Sequence, residues 1–213
     1  GDTSVMAILL AFALFGVMSI MRPEAFSLTS VATVLANSSL LLFASAGQMV
    51  VITSGGIDLS IGSLMSTTAC LTVEIMNGNH DMLLPVIVIC MAFGFVVGMI
   101  NGFAVAYIRI PALIMTLCMS NVLTKFQPIF TGAYPRGTVS QQLAEALSQR
   151  YLEFIPGFFI YAVAFYVVFV LFMKNTQYGL RLNFVGTNET AAMLCGIRSK
   201  RITMLSYAIA GMI

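Results

Sequence analysis

Long apolar runs separated by short polar breaks fill most of the chain. A membrane-spanning helix needs about 20 apolar residues, because each residue rises about 1.5 Å and the hydrocarbon core is about 30 Å thick. The runs lack the two-residue alternation of barrel strands, so we expect an all-α transmembrane bundle. The predicted spans are residues 4–21, 30–53, 59–76, 83–107, 112–131 and 157–173, with a further span beginning at Ile202.

A polar segment at residues 132–156 separates the fifth and sixth predicted spans. Within it, Thr138 and Gln141 fit a capping box, in which a threonine caps a helix and a glutamine reaches back. Apolar residues then recur every four positions, as on one face of a helix. These residues are Val139, Leu143 and Leu147. We expect a periplasmic loop containing a short amphipathic helix on the outer surface; a flexible loop is the alternative.

The composition agrees with a membrane environment. Only 8% of the residues are charged and 59% are hydrophobic, and the mean hydropathy is +0.97. A soluble domain carries about a quarter charged residues, so a water-soluble fold would leave too much apolar surface exposed. Lipid is therefore the expected solvent, and the whole chain, residues 1–213, is interpreted as a single transmembrane domain.

The basic residues are unevenly distributed, which predicts the orientation. Five of them lie in the loop 174–201, and cytoplasmic loops of membrane proteins are enriched in lysine and arginine. They are Lys174, Arg181, Arg198, Lys200 and Arg201. Counting back places 132–156 outside, Arg109 inside, 77–82 outside and the Gly55-Gly56 break towards the inside. A re-entrant dip after that break would change this parity. A basic loop beside a span does not indicate nucleic-acid binding.

Catalytic and metal chemistry have little support. The four cysteines have no metal or redox spacing, and His80 is the one histidine, so a metal site has too few ligands. An intramembrane hydrolase would need a paired acid, a nucleophile with its base, or a metal set. We therefore expect no catalytic residues, no metal and no cofactor.

Asp58 is the most informative residue. It follows Gly55-Gly56-Ile57 inside a hydrophobic region, where a carboxylate costs several kcal/mol unless it is hydrated or paired. Glycines permit unusual backbone torsions and release amides from a helix, which Thr53, Ser54 and Ser60 can satisfy. A broken helix inside the membrane is typical of transport sites. A plain cytoplasmic turn with a solvated aspartate is the alternative.

Two spans carry polar stripes. Asn37 and Gln48 are three helical turns apart, on one arc with Ser30, Thr33 and Ala44. The fifth span carries another stripe, made of Thr116, Ser120, Thr124 and Gln127, with Asn121 and Lys125 beside it. Such stripes face either an aqueous path or an interhelical seam, because lipid offers them no partner. Lys125 is expected to snorkel to the outer interface.

Small residues predict a close helix–helix contact in the fourth span. Gly94, Gly98 and Gly102 repeat every four residues, a pattern that lets two helices approach closely. Asn101 lies beside this groove, where it can cap or cross-link the contact.

A short helix is predicted within the basic loop. Thr187 would be its N-cap, Asn188 to Cys195 its body and Gly196 its C-terminal stop. On the cytoplasmic side it is either a docking element or an ordinary interfacial helix.

Four co-linear motifs stand out along the chain. They are Val51 to Ser63; Asn101-Gly102 followed by Ile110 to Leu117; Gly179 followed by Val185 to Ala192 and Gly196-Ile197; and Tyr207 with Gly211. Together they resemble a known family, the ribose, xylose and galactose class of bacterial ABC permeases, which is related to branched-chain amino acid permeases. The resemblance covers residues 30–213.

The resemblance implies a type II-like permease with about ten spans in a bacterial inner membrane. Because the chain begins without methionine and stops inside an apolar run, we expect it to be incomplete at the C-terminus, with six or seven spans present. The implied partners are a second permease copy or paralogue, a cytoplasmic ATPase that binds ATP, and a periplasmic or lipid-anchored solute-binding protein.

The residues assigned to roles fall into three sets. The candidate translocation-path residues are Asn37, Gln48, Thr53, Gly55, Gly56, Asp58, Ser60, Thr116, Ser120 and Asn121. The candidate ATPase-coupling residues in the loop 174–201 are Thr187, Asn188, Glu189, Ala191, Ala192 and Gly196. The helix-packing residues are the three glycines of the fourth span.

The expected function is import of a monosaccharide or sugar-like solute by alternating access. Where sugar permeases of this class usually have Arg-Gly, this chain has Thr124-Lys125, which leaves a nucleoside, an autoinducer or an amino acid as alternative solutes. A different class, an ion-coupled secondary transporter, would use Asp58 as a proton or sodium site.

Overall fold

The structure, a computed structural model, describes residues 2–21, 27–132, 134–151 and 154–213. It confirms the predicted all-α fold. A two-stranded antiparallel hairpin pairs β1 (Arg150–Tyr151) with β2 (Ile155–Pro156). The helices are α1 (Asp2–Met21), α2 (Leu28–Thr53), α3 (Ile61–Met76), α4 (Leu83–Phe103), α5 (Ala112–Thr131), α6 (Gln141–Ser148), α7 (Gly157–Asn175), α8 (Gln177–Thr187), α9 (Glu189–Leu194) and α10 (Ser199–Met212).

Within the described residues, four helical segments are long and apolar enough to cross a membrane: Leu28–Thr53, His80–Ile108, Ala112–Thr131 and Gly157–Asn175. The apolar parts of α1 and α3, Val5–Met18 and Ile61–Met76, are shorter than a full span. The second of the four joins a short turn at His80–Met82, α4 and a wider helical turn at Ala104–Ile108. Between 17% and 28% of each apolar window is buried against the rest of the chain. The remaining apolar side chains face outward, as expected where lipid surrounds them. The chain is a multi-pass membrane protein.

The connecting segments gather at two ends of the bundle. At the first, the turn 77–82 meets residues 134–140: Gly78 donates its N–H to the Thr138 carbonyl at 2.7 Å, and His80 Nδ1 lies 3.1 Å from Ser140 Oγ. At the second, one cavity is lined by residues after α2, between α4 and α5, and from α8 to α10. We call these the loop end and the basic end. Helix α3 therefore crosses the bundle from the basic end to the loop end.

Helix α6 begins two residues later than the predicted capping box. Ser140 is its N-cap, with Oγ accepting the Leu143 N–H at 3.3 Å. Gln141 donates to Glu145 at 2.7 Å instead of reaching back. The capping box from Thr138 to Gln141 is therefore wrong, because a serine, at least as good an N-cap as threonine, stands closer to the helix. The amphipathic helix itself is present.

Helix α8 is a helix that the sequence pattern did not predict. It begins after Thr176, whose Oγ1 accepts the Gly179 N–H at 3.3 Å. Two glycines, Gly179 and Gly186, lower its intrinsic helix propensity and mask it in the sequence. Packing compensates, because Leu182 and Val185 are buried in a cluster with side chains of α2, α7, α9 and α10.

Helix α10 lies at the centre of the bundle, against the glycine stripe of α4. A Cβ added at Gly94, Gly98 or Gly102 would overlap a backbone carbonyl of α10. These carbonyls belong to Gly211, Tyr207 and Met204 respectively. The two backbones are therefore in direct contact, as small-residue motifs permit. On the other side of α10, a Cβ at Gly47 of α2 would lie 3.0 Å from the Ala210 carbonyl oxygen.

We expect Gly98→Leu to destabilise the bundle by about 1–3 kcal/mol or more, because the new side chain would overlap α10 backbone that cannot rotate away. The matched control is Gly16→Leu in α1, where a Cβ meets nothing within 4 Å. Since the sequence contains four cysteines and no tryptophan, a thiol-reactive dye can follow thermal unfolding in detergent. Equal melting temperatures for the two variants would show that the stripe is not a contact.

Candidate functional site

The candidate site is the break between α2 and α3. Helix α2 ends at Thr53, and Gly55 adopts φ +84°, a conformation that residues with a Cβ rarely take. The amides released by the break turn back on α2: Gly55 donates to the Ile52 carbonyl at 2.9 Å, and Gly56 to the Val51 carbonyl at 3.0 Å. The glycines thus let the chain reverse direction without leaving these two amides unpaired.

Asp58 is buried, with 5% of its surface exposed. Its Oδ1 accepts two hydrogen bonds from Ser60, one from the backbone N–H at 2.8 Å and one from the hydroxyl at 2.6 Å. Ser60 Oγ in turn accepts a hydrogen bond from Asn101 Nδ2 of α4 at 2.9 Å. The alternative of a solvated aspartate is therefore wrong. Asp58, Ser60 and Asn101 form one chain of hydrogen bonds, which we call the break network.

The polar side chains of the break lie inside the bundle, whereas Ile57 and Leu59 are 45% and 43% exposed. Asn101 precedes Ile108, where the helical segment containing α4 ends, by about two helical turns, or roughly 10 Å along the axis. Both Asn101 and Ser60 are at most 1% exposed. The protein therefore shields the polar side chains of the break, as a membrane interior requires.

Helices α5 and α10 also hold the break. Thr116 of α5 accepts the Leu59 N–H at 3.1 Å through its hydroxyl. Tyr207 of α10 is fully buried and donates its hydroxyl to the Ile57 carbonyl at 3.3 Å. A Cβ added at Gly56 would overlap this hydroxyl, so the second glycine makes room for the tyrosine. Every residue from Ile57 to Ser60 thus has a partner on another helix or within the break itself.

The polar stripe of α5 faces α3. Gln127 donates its Nε2 to Thr67 Oγ1 of α3 at 2.9 Å, and Thr116 lies against the break. On the other side of α5, Asn121 is exposed and donates to the Leu117 carbonyl of its own helix at 3.0 Å. The stripe is therefore an interhelical seam at Thr116 and Gln127.

The candidate coupling segment lies at the same end of the bundle as the break. Asn188 is the N-cap of α9 and accepts the Ala191 N–H at 3.0 Å. Thr187 is the last residue of α8 and donates to the Asn183 carbonyl at 2.8 Å. The prediction of Thr187 as N-cap is therefore wrong, because Asn188, a better N-cap than threonine, stands next to the helix. Gly196, at φ +79°, ends the segment as predicted.

Helix α9 is fixed on one face and exposed on the other. Ala192 is buried among α8 and α10 side chains, and Glu189 Oε1 accepts the Ser199 hydroxyl of α10 at 3.1 Å. By contrast, Met193 is 49% exposed and Leu194 85% exposed. A short, rigidly held helix thus presents an apolar tip at the basic end.

Comparison with known proteins identifies the family. The family model described as a branched-chain amino acid transport system, permease component, matches residues 27–213. This match covers α2 to α10, and with them both the break and the coupling segment. The chain belongs to this permease family.

Curated relatives of this permease are named for sugar and sugar-like solutes. A fructose import permease protein of Bifidobacterium longum is 28% identical over 84% of this chain and 51% of its own. A ribose import permease protein of Haemophilus influenzae is 26% identical over 93% of this chain and 62% of its own. An autoinducer 2 import system permease protein of Photorhabdus luminescens is 24% identical over 99% of this chain and 63% of its own. The resemblance inferred from the motifs is confirmed.

The chain spans between half and two thirds of the length of these three relatives. No solved structure matches it significantly.

The structure brings only some of the candidate path residues together. Asp58, Ser60 and Thr116 meet at the break, next to Gly55 and Gly56. Other candidates lie outside the break network: their hydrogen bonds among the described residues, where present, are to their own helices. These are Asn37, which is exposed; Gln48, whose buried Oε1 has no partner among the described residues; Thr53; Ser120; and Asn121.

Asn101 and Tyr207 belong to the site although the sequence does not predict them there. The sequence predicts Asn101 beside the glycine groove, and Tyr207 belongs to one of the family motifs. The available signal was their spacing, since Asn101 adjoins Gly102 and Tyr207 precedes Gly211 by one turn. The glycine contact between α4 and α10 therefore positions both residues at the break.

We expect Ser60→Ala to destabilise the permease by roughly 1–3 kcal/mol, because Asn101 Nδ2 loses its partner inside the bundle and Asp58 loses one of its two. Ser45→Ala is the matched control, since Ser45 is exposed and donates only to the Leu42 carbonyl of its own helix. Thermal unfolding in detergent measures both. In a double-mutant cycle, Ser60→Ala and Asn101→Ala should be less than additive; full additivity would contradict the break network.

Proposed function

We propose that this permease is the membrane-spanning subunit of an ABC importer that carries a monosaccharide or sugar-like solute into a bacterial cell. The proposal rests on one observation: a single end of this permease-family bundle holds both a helix break with a buried aspartate and an exposed short helix. The names of the relatives, which include fructose and ribose import permeases, favour a sugar over an amino acid.

Helix α9 is suited to dock on a separate ATPase. Its apolar tip, Leu194, is 85% exposed in a segment that carries five cations, and exposed apolar side chains in a polar setting typically mark a protein contact. The five cations in residues 174–201 favour a cytoplasmic position for this end, where ATP is available. ATP binding and hydrolysis are assigned to the partner, so the permease itself needs no cofactor.

Movement of α9 would reach the break through α10. Glu189 is hydrogen-bonded to Ser199 in the first turn of α10. Tyr207 lies about two turns further along, or roughly 12 Å, and donates to the Ile57 carbonyl. A displacement of α9 by the ATPase is thus transmitted along a rigid helix to the recessed break. This path provides the coupling step of an alternating-access cycle.

The solute needs only weak binding to the permease. A solute that binds two conformational states of the permease with equal affinity does not shift the equilibrium between them. The energy is therefore assigned to the ATPase, and the selectivity to a solute-binding protein. That protein would dock at the loop end, whose exposed charged residues include Arg136, Glu145 and Arg150. A second permease copy or a paralogue would complete the path in the inner membrane.

We reconstitute the permease with the ATPase and the binding protein in proteoliposomes and measure monosaccharide uptake. We expect uptake to require ATP on the side of the membrane that carries the ATPase. Candidate solutes are first screened by thermal shift of the cognate binding protein. Uptake that continued without ATP and collapsed with a proton or sodium gradient would instead favour a secondary transporter that uses Asp58.

We expect Glu189→Arg to reduce co-purification of the ATPase by roughly tenfold, because charge reversal at a docking surface weakens association. Leu194→Glu tests the same surface without touching the Glu189–Ser199 hydrogen bond. Glu145→Arg, at the loop end, is the matched control. If both α9 variants retained the ATPase while remaining inserted and folded, α9 would not be the docking element.

A further inference from the structure

A cavity of about 580 Å³, lined by both polar and apolar residues, opens at the basic end. Its walls come from three parts of the chain: the break, the connector between α4 and α5, and the face shared by α9 and α10. The residues used below are Gly55, Arg109, Glu189, Lys200 and Thr203, all of which line the cavity. We call it the basic cavity. Glu189 also belongs to the coupling path described above, and Gly55 to the break. Arg109, Lys200 and Thr203 have no role in either.

Two cations line the basic cavity from different elements. Arg109 lies between α4 and α5 and has φ +66°, a conformation that costs a residue with a Cβ about 1 kcal/mol or more. Lys200 lies in the first turn of α10, with Nζ 5.7 Å from the centre of the Tyr107 ring. Lys200 itself is one of the lining residues, and the ring contact restrains its ammonium group near the end of the helical segment that contains α4. Arg109 ends the wider helical turn, with its N–H donating to the Ala104 carbonyl, and its side chain lines the cavity.

Hydroxyl and carboxylate groups line the same cavity. Glu189 uses Oε1 to accept the Ser199 hydroxyl at 3.1 Å, which fixes the carboxylate at the cavity wall. Thr203, one turn along α10 from Lys200, adds a hydroxyl that can donate or accept. Two cations and one carboxylate leave a net charge of about +1. The cavity therefore suits an anion that also carries hydroxyl groups, rather than a neutral or purely apolar ligand.

We propose that the basic cavity binds a phosphate ester that bears free hydroxyl groups. The phosphate contacts Arg109 and Lys200, since guanidinium and ammonium groups form strong charge-assisted hydrogen bonds with phosphate oxygens. The hydroxyl groups contact Glu189 and Thr203. Two sources offer this chemistry at the cytoplasmic boundary of a membrane: a soluble sugar phosphate, and the glycerol phosphate headgroup of an anionic lipid.

The test is direct binding to the purified permease in nanodiscs. Isothermal titration calorimetry with ribose 5-phosphate in phosphatidylcholine nanodiscs should give saturable binding, while ribose and inorganic phosphate bind at least about tenfold more weakly, because each lacks half of the contacts. The second arm uses phosphatidylglycerol nanodiscs. If the lipid headgroup is the occupant, ribose 5-phosphate binding is lost there, and native mass spectrometry finds retained phosphatidylglycerol. Either result supports the site and identifies the source.

The variants assign the binding to this cavity. Arg109→Gln and Lys200→Gln should each weaken binding by about tenfold or more, the expected loss of one charge-assisted contact. Arg109→Lys keeps the charge and should stay within about threefold of the parent. Arg181→Gln is the matched control, because Arg181 is exposed in the same basic segment and contacts Gln177 of its own helix.

Two results would overturn the proposal. The first is that ribose 5-phosphate does not bind in phosphatidylcholine nanodiscs and that native mass spectrometry finds no retained phosphatidylglycerol in the phosphatidylglycerol arm. The other is binding that Arg109→Gln, Lys200→Gln and Arg181→Gln affect equally, which would indicate general attraction to a basic surface. Since the readout is binding alone, it does not depend on the proposed importer function, and a failure of either one leaves the other distinguishable.

Discussion

The direct backbone contact between α4 and α10 is the constraint on which the site depends. Three glycines of α4 remove the side chains that would keep the helices apart, and carbonyls of α10 occupy the space. This contact brings Tyr207 from one side and Asn101 from the other to the same break. A wider helix spacing of about 8–10 Å, usual for larger side chains, would withdraw both groups from the residues they hydrogen-bond.

The break network explains how a carboxylate is tolerated inside the bundle. An unpaired buried charge is strongly disfavoured, yet Asp58 Oδ1 accepts two hydrogen bonds from Ser60. The network is not complete, because Asn101 Oδ1 is buried without a partner among the described residues. A buried acceptor without a donor costs about 1–3 kcal/mol. This cost favours rearrangements of the break that supply a donor, as the proposed alternating-access cycle would require.

Four of the spanning helices can be predicted from the sequence, but not what they contact. The lengths of the apolar runs place α2, α4, α5 and α7 within a few residues of their observed bounds, because bilayer thickness fixes those lengths. Periodicity identifies a polar face without revealing what it meets, so the stripe containing Thr116 was consistent with both a path and a seam. Helix α8 was missed for a related reason: its stability comes from tertiary packing of Leu182, which local propensity does not report.

The way the helices are held determines where the bundle can bend. Helix α9 is tied to α10 at Ser199, and α8 meets the end of α2 so closely that a Cβ at Gly186 would overlap the Thr53 carbonyl. Helix α3 is held instead by α5 and α4, through Gln127–Thr67 and the break network. In the proposed importer cycle, a displacement of α9 would act on α2 through α8, and on α4 through the glycine contact with α10. The connection between residues 54 and 60 joins α2 to α3 and contains a glycine at a positive φ, which offers little resistance to backbone rotation. Residues of this connection line the basic cavity, so an occupant there would contact the segment on which both displacements act.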